Sequence, residues 1–63
     1  MSEAKHREYL NTFLECIKSL DESNDTKGVL VLLPHMQAII RNAYDAGYRA
    51  LAKNYDRLLQ DYV

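Results

Sequence analysis

Asp21-Glu22-Ser23-Asn24-Asp25-Thr26-Lys27-Gly28 is the one polar cluster with turn chemistry in this 63-residue chain. On either side of it, apolar residues recur at spacings of three and four, the period of a helix. Residues 21–28 therefore read as the loop of a helical hairpin, eight residues long, joining two antiparallel helices. The expected first helix covers about residues 3–20 and the second about 34–61, all within a single all-α domain, 1–63.

In the first helix Leu10, Phe13, Leu14, Ile17 and Leu20 form the buried stripe, with His6 and Tyr9 on its borders. Ser2 suits the N-cap and Glu3 the positive end of the helix dipole. Glu3 and Arg7 stand one turn apart, acid before base, a pairing worth about 0.2–0.5 kcal/mol. Lys5, Arg7, Glu8, Asn11, Glu15 and Lys18 make up the wet side.

Beyond the loop, the apolar run 29–33 has no partner strand in so short a chain and reads as a lead-in packing on the first helix. Pro34, without an amide donor, either opens the second helix or kinks it. The stripe Met36, Ile40, Ala43, Gly47, Leu51 and Leu58 keeps its phase through Gly47, which favours one continuous helix roughly 40 Å long. A break at Gly47 would instead give a three-helix bundle.

A continuous second helix outruns the first by about ten residues and carries a further apolar strip with Ile39 and Leu59. A partner of that length leaves the extra strip in water. The expectation is a homodimer, a four-helix bundle made from two hairpins. Ala38, Ala43, Ala46, Gly47 and Ala50 are small enough to admit another helix, or serve simple helix propensity.

Composition excludes several classes of function. A chain this short buries only about 60% of its unfolded surface, leaving no room for a cofactor domain or a deep cleft. Apolar residues make up 48% and charged residues 27%, a globular balance. Eight bases against nine acids, net −1, argue against a dedicated polyanion binder. The lone Cys16 cannot form an internal disulfide and points to a reducing, cytoplasmic setting; it reads as a small core filler. No apolar run reaches the ~20 residues of a membrane span, and no export signal is expected.

The inventory for chemistry is equally short. Glu3-x-x-His6 has the spacing that presents two metal ligands on one helix face, but the second helix supplies no inward carboxylates, so neither metal nor cofactor is expected. Cys16 lies ten residues from His6, too far along one helix to form a nucleophile–base pair. With two glycines there is no phosphate loop. The chain is expected not to be an enzyme.

Tyr44, Tyr48, Tyr55 and Tyr62, at spacings of four, seven and seven, fall within an arc of about 40° on a continuous helix, with Leu59 beyond them. Tyrosine combines contact area with a wet hydroxyl, so these five residues are the expected partner-binding surface; the alternative is a boundary layer or the dimer seam. Arg49, Lys53 and Arg57 form a basic row one turn apart. Interleaved acids make it read as a salt-bridged solvated face, with nucleic-acid binding as the alternative.

In size, in the DESNDTKG turn between two helices and in the expected dimer, the chain resembles the small helical-hairpin accessory proteins of temperate lambdoid phages, those of the early exo–xis region. It also resembles in layout the plasmid RNA-binding four-helix bundle. The phage resemblance implies a cytoplasmic regulator that binds a host or phage protein; no family site residue maps onto this sequence. The expected function is thus a noncatalytic protein-interaction module, or alternatively a regulator of RNA or DNA.

Overall fold

Two residues in left-handed backbone, Asn24 (φ 60°) and Gly47 (φ 89°), divide the chain into three helices. The computed structural model describes residues 2–62. In chain order the elements are α1 (Glu3–Glu22), α2 (Thr26–Asp45) and α3 (Arg49–Leu59), closed by a 3-10 turn (Gln60–Tyr62). No strand occurs among the described residues, so the expected all-helical class is what the chain adopts.

Local chemistry sets each boundary. Ser2 caps α1, its hydroxyl accepting from the Lys5 amide at 3.2 Å. At the other end the Asp25 amide donates to the Leu20 carbonyl at 2.8 Å and the Asn24 amide to the Asp21 carbonyl at 3.0 Å. That pair of bonds closes a helix when the residue beyond the cap is left-handed, a conformation asparagine tolerates. Asp25 at once starts α2, its Oδ1 accepting from the Gly28 amide at 2.9 Å. The second break repeats the device. The Tyr48 amide donates to Ala43 at 2.9 Å and the Gly47 amide to Tyr44 at 3.0 Å.

These boundaries correct the expected organisation. The loop is residues 23–25 rather than 21–28, because Asn24 and Asp25 stop one helix and start the next within two residues. Residues 29–33 are helix interior, with Val29 and Leu33 buried. Pro34 therefore lies inside α2 and does not open it. Proline removes one bond, to the carbonyl of Leu30; Leu30 is 60% exposed, so water can serve that oxygen. The continuous helix over 34–61 does not exist, because the chain turns at Gly47.

The turn also removes the length mismatch. Helices α1 and α2 have 20 residues each, and α3 folds back with 11. The two apolar strips belong to different helices: Val29, Leu33, Met36, Ile40 and Ala43 on α2, and Leu51, Ala52, Tyr55 and Leu59 on α3. All join Leu10, Leu14 and Ile17 of α1 in one core, with Phe13 and Leu20 half-buried against it. Gly47 itself is exposed in the turn. Because the helical phase restarts after it, Leu59 takes the core position and Leu58, expected inside, is 38% exposed. The argument for self-association from unequal helices has no basis in this architecture.

Helices α1 and α2 run antiparallel. Leu20 sits against Gly28 at one end, where a Cβ on residue 28 would come within 3.0 Å of the Leu20 side chain. His6, Tyr9 and Phe13 gather with Ile39 and Asn42 toward the other. Helix α3 follows α1 in the same direction: the His6 and Tyr48 rings meet edge-on at 5.2 Å, and the Tyr55 hydroxyl donates to Asn11 Oδ1. The principal extents are 34 × 18 × 15 Å. No helix among the described residues is long and apolar enough to cross a membrane.

Candidate interaction face

Helix α3 covers only one flank of the α1–α2 pair. At about 100° per residue, Asn11 and Tyr9 point to opposite sides of the buried Leu10. Asn11 meets α3 through Tyr55, so Tyr9 faces away from it. On that open flank α1 presents Tyr9, Phe13, Cys16 and Leu20, and α2 presents Gly28, Leu32, His35, Ile39 and Asn42, with Val31 at the rim. None of these is Lys, Arg, Asp or Glu, in a chain with 17 such residues. At its edges lie the Lys5–Glu8 ion pair, at 3.5 Å, and the Asp25 carboxylate, 2.9 Å from where a Cβ on Gly28 would stand.

This face is apolar and shallow. Tyr9 is 49% exposed, Val31 62%, and Phe13, Leu20, Leu32 and Ile39 are half-buried. Between the helices lies a depression of about 280 Å³ lined by His6, Tyr9, Phe13, Ile39 and Asn42. Enclosed small-molecule cavities usually measure about 300–1,000 Å³. This one is smaller and open, which suits a protruding side chain better than a metabolite. At its floor, buried His6 donates from Nδ1 to the Ser2 carbonyl at 2.9 Å, which fixes the ring beside Tyr48.

The expected tyrosine surface is redistributed. Tyr55 is 6% and Leu59 1% exposed, so both are core residues and not partner anchors. Tyr48 and Tyr62 are half-buried and pack against the same core. Tyr44 stays on α2, 40% exposed, and is separated from the others by the Gly47 turn. The four were aligned only on a continuous helix; with the break, Tyr48, Tyr55 and Tyr62 become the inward stripe of α3 and its closing turn. Burial pushes the Tyr62 hydroxyl above its ordinary pKa, and the carboxylates of Asp21, Asp61, Glu22 and Glu15 push it the same way.

Other candidates are also placed. Arg49, Lys53 and Arg57 line the exposed outer face of α3. The expected salt-bridged lattice does not form there: among the described residues the row's side-chain bond is Arg57 to Asn54 Oδ1 at 3.3 Å. On α1 the ion pair is Lys5–Glu8 rather than Glu3–Arg7. Cys16 is exposed on the uncharged flank, not a core filler. Glu3 points to solvent while His6 is buried, and no cluster of three metal-ligating side chains occurs among the described residues.

The open flank itself went unread in the sequence. Its signal was present as a shared gap in charge: positions 9, 13, 16 and 20 fall on one side of α1, and 28, 32, 35, 39 and 42 on one side of α2. Compared with known proteins, the chain matches no family model, no curated protein sequence and no solved structure.

Proposed function

We propose that the protein is a noncatalytic interaction module that works by presenting the uncharged α1–α2 flank to a complementary protein surface. The observation that carries this reading is the two-helix strip free of Lys, Arg, Asp and Glu, with Tyr9 half in solvent and Phe13 and Ile39 lining an open depression. The largest apolar patch on a typical monomer measures about 300–600 Å² and is often functional, which supports a contact role for this one. Aromatic and large aliphatic side chains with few charges are the composition of interface centres. The resemblance to phage hairpin proteins supports a host or phage protein as the partner class. In this reading the module acts by occupying a surface or stabilising one state of its target.

Affinity capture from a bacterial lysate tests it, comparing wild type with Ile39→Glu on the flank and Lys53→Glu on α3. A carboxylate at 39 should abolish capture while the α3 variant retains it; an unchanged profile with Ile39→Glu refutes the reading. A second reading, nucleic-acid binding, is favoured by one observation, the exposed Arg49–Lys53–Arg57 row without a carboxylate partner among the described residues. It requires a gel shift at low salt that weakens steeply with added salt and with Lys53→Glu.

A further inference from the structure

We propose that the depression on the α1–α2 flank is a pocket for the indole of a partner protein's tryptophan, with His6 Nε2 at its floor accepting the indole N–H. This rests on the reading of that flank as an interaction face and names the side chain that enters it.

The acceptor follows from the hydrogen bonding of one buried ring. His6 is 4% exposed. Its Nδ1 stands 2.9 Å from the Ser2 carbonyl, which only accepts, so Nδ1 carries the proton and Nε2 of the neutral ring holds a lone pair. The Tyr48 ring, edge-on at 5.2 Å, holds the imidazole in that orientation. Among the described residues Nε2 has no hydrogen-bond partner, yet no buried side-chain nitrogen or oxygen lacks one. Nε2 is therefore open to solvent, and the open space that His6 lines is the depression of about 280 Å³.

The chemistry of side-chain donors selects the occupant. The other lining residues are Tyr9, Phe13, Ile39 and Asn42, none of them charged. Lysine and arginine would bring a charge into this hollow without a counter-ion. Serine and threonine donate but leave most of the space empty. Asparagine, glutamine and neutral histidine each add an acceptor that the Nε2 lone pair cannot serve. Tyrosine fills the space, but its oxygen keeps lone pairs to satisfy, whereas the indole N–H is a donor only and one acceptor completes it. The flat apolar body of an indole also suits walls made of two aromatic rings and an isoleucine. These 63 residues contain no tryptophan, so a second copy of them cannot supply the side chain and it belongs to another protein. Buried tryptophan is among the residues that carry most of the energy of an interface.

Nuclear magnetic resonance titration of the full chain with indole, at up to about 10 mM, tests the proposal. Shifts should concentrate on the five lining residues with millimolar affinity, and the His6 Nε2 nitrogen resonance should move with them. The same titration with 1-methylindole, which has no N–H, should bind at least fivefold more weakly and leave Nε2 still. Phenol should also bind more weakly than indole. N-acetyltryptophanamide should match indole, since an open hollow leaves its backbone groups outside. Ile39→Glu should abolish indole binding with helicity unchanged; if that variant fails to fold, the comparison of indole with 1-methylindole on wild type decides. Absence of shifts at the lining residues overturns the proposal, as does equal affinity for 1-methylindole or tighter binding of phenol. Binding of indole without N-acetyltryptophanamide overturns it in favour of a small-metabolite pocket. Lysate capture lost with Ile39→Glu, beside a wild type that does not bind indole, refutes the tryptophan alone and leaves the wider reading standing. Indole binding beside capture indifferent to Ile39→Glu refutes the wider reading and the partner's tryptophan with it.

Discussion

Gly47→Ala probes the turn that creates the third helix. Residue 47 has φ 89°, and a Cβ built there meets no atom within 4 Å. Steric contact with the rest of the protein therefore contributes nothing, and the whole effect is backbone conformation. Holding an L-residue in the left-handed region costs about 1–2 kcal/mol. Alanine also restricts the unfolded chain, which offsets about 0.4–1 kcal/mol of that. The net loss should be about 1 kcal/mol, or ~4–8 °C in Tm for a domain of this size. The variant cannot escape the strain by straightening into one long helix. Straightening would expose Leu51, Tyr55 and Leu59, each now at most 6% exposed, at about 1.5–3 kcal/mol per side chain. Thermal melts followed by circular dichroism supply the assay, on wild type, Gly47→Ala and a synthetic chain with D-alanine at position 47. D-alanine favours positive φ and should match or exceed wild type. A Gly47→Ala variant as stable as wild type would refute a left-handed residue 47, and with it the account of why α3 folds back.

Asn24 repeats the logic at the first break: with φ 60°, Asn24→Ala should lose about 1 kcal/mol and Asn24→Gly none, measured by urea titration. Tyr55→Phe keeps the buried ring but removes the hydroxyl bond to Asn11, so it should cost about 1 kcal/mol. Asn11→Ala should add little to Tyr55→Phe in a double-mutant cycle; full additivity would show that the two groups do not interact. Tyr62 predicts alkaline sensitivity. Burial and the surrounding carboxylates raise its folded pKa above the unfolded value near 10, so the unfolded chain releases its proton first and stability falls as pH climbs through that region. The slope of Tm against pH between about 9.5 and 11 should flatten in Tyr62→Phe. Equal slopes would remove the assigned environment.

Much of the core is local and was legible as periodicity. Leu10, Leu14 and Ile17 on one side, and Met36, Ile40 and Ala43 on the other, are buried where a period of 3.6 puts them. The all-helical class follows from the same pattern. Which residues were loop was harder, because DESNDTKG looks like eight residues of turn when only 23–25 leave the helix. Acids at 21 and 22 are compatible with a last helical turn, and Asp25 serves as a cap only once Asn24 has taken a left-handed conformation.

The site depended still more on tertiary structure. A stripe running in phase through Gly47 fits both a continuous helix and two helices whose inward faces happen to match in register. Local propensity does not distinguish them; burial does. Folding back buries Tyr55 and Leu59 in the core, with Tyr55 reaching Asn11 of α1, whereas a straight helix would leave them in water. The same choice assigns one flank of α1 to α3 and leaves Tyr9, Phe13 and Ile39 on the other uncovered. Periodicity along the chain thus determined which residues could be buried, and the packing of α3 on a single flank decided which of them remain available to a partner. The physical reason is that one helix face can be covered only once.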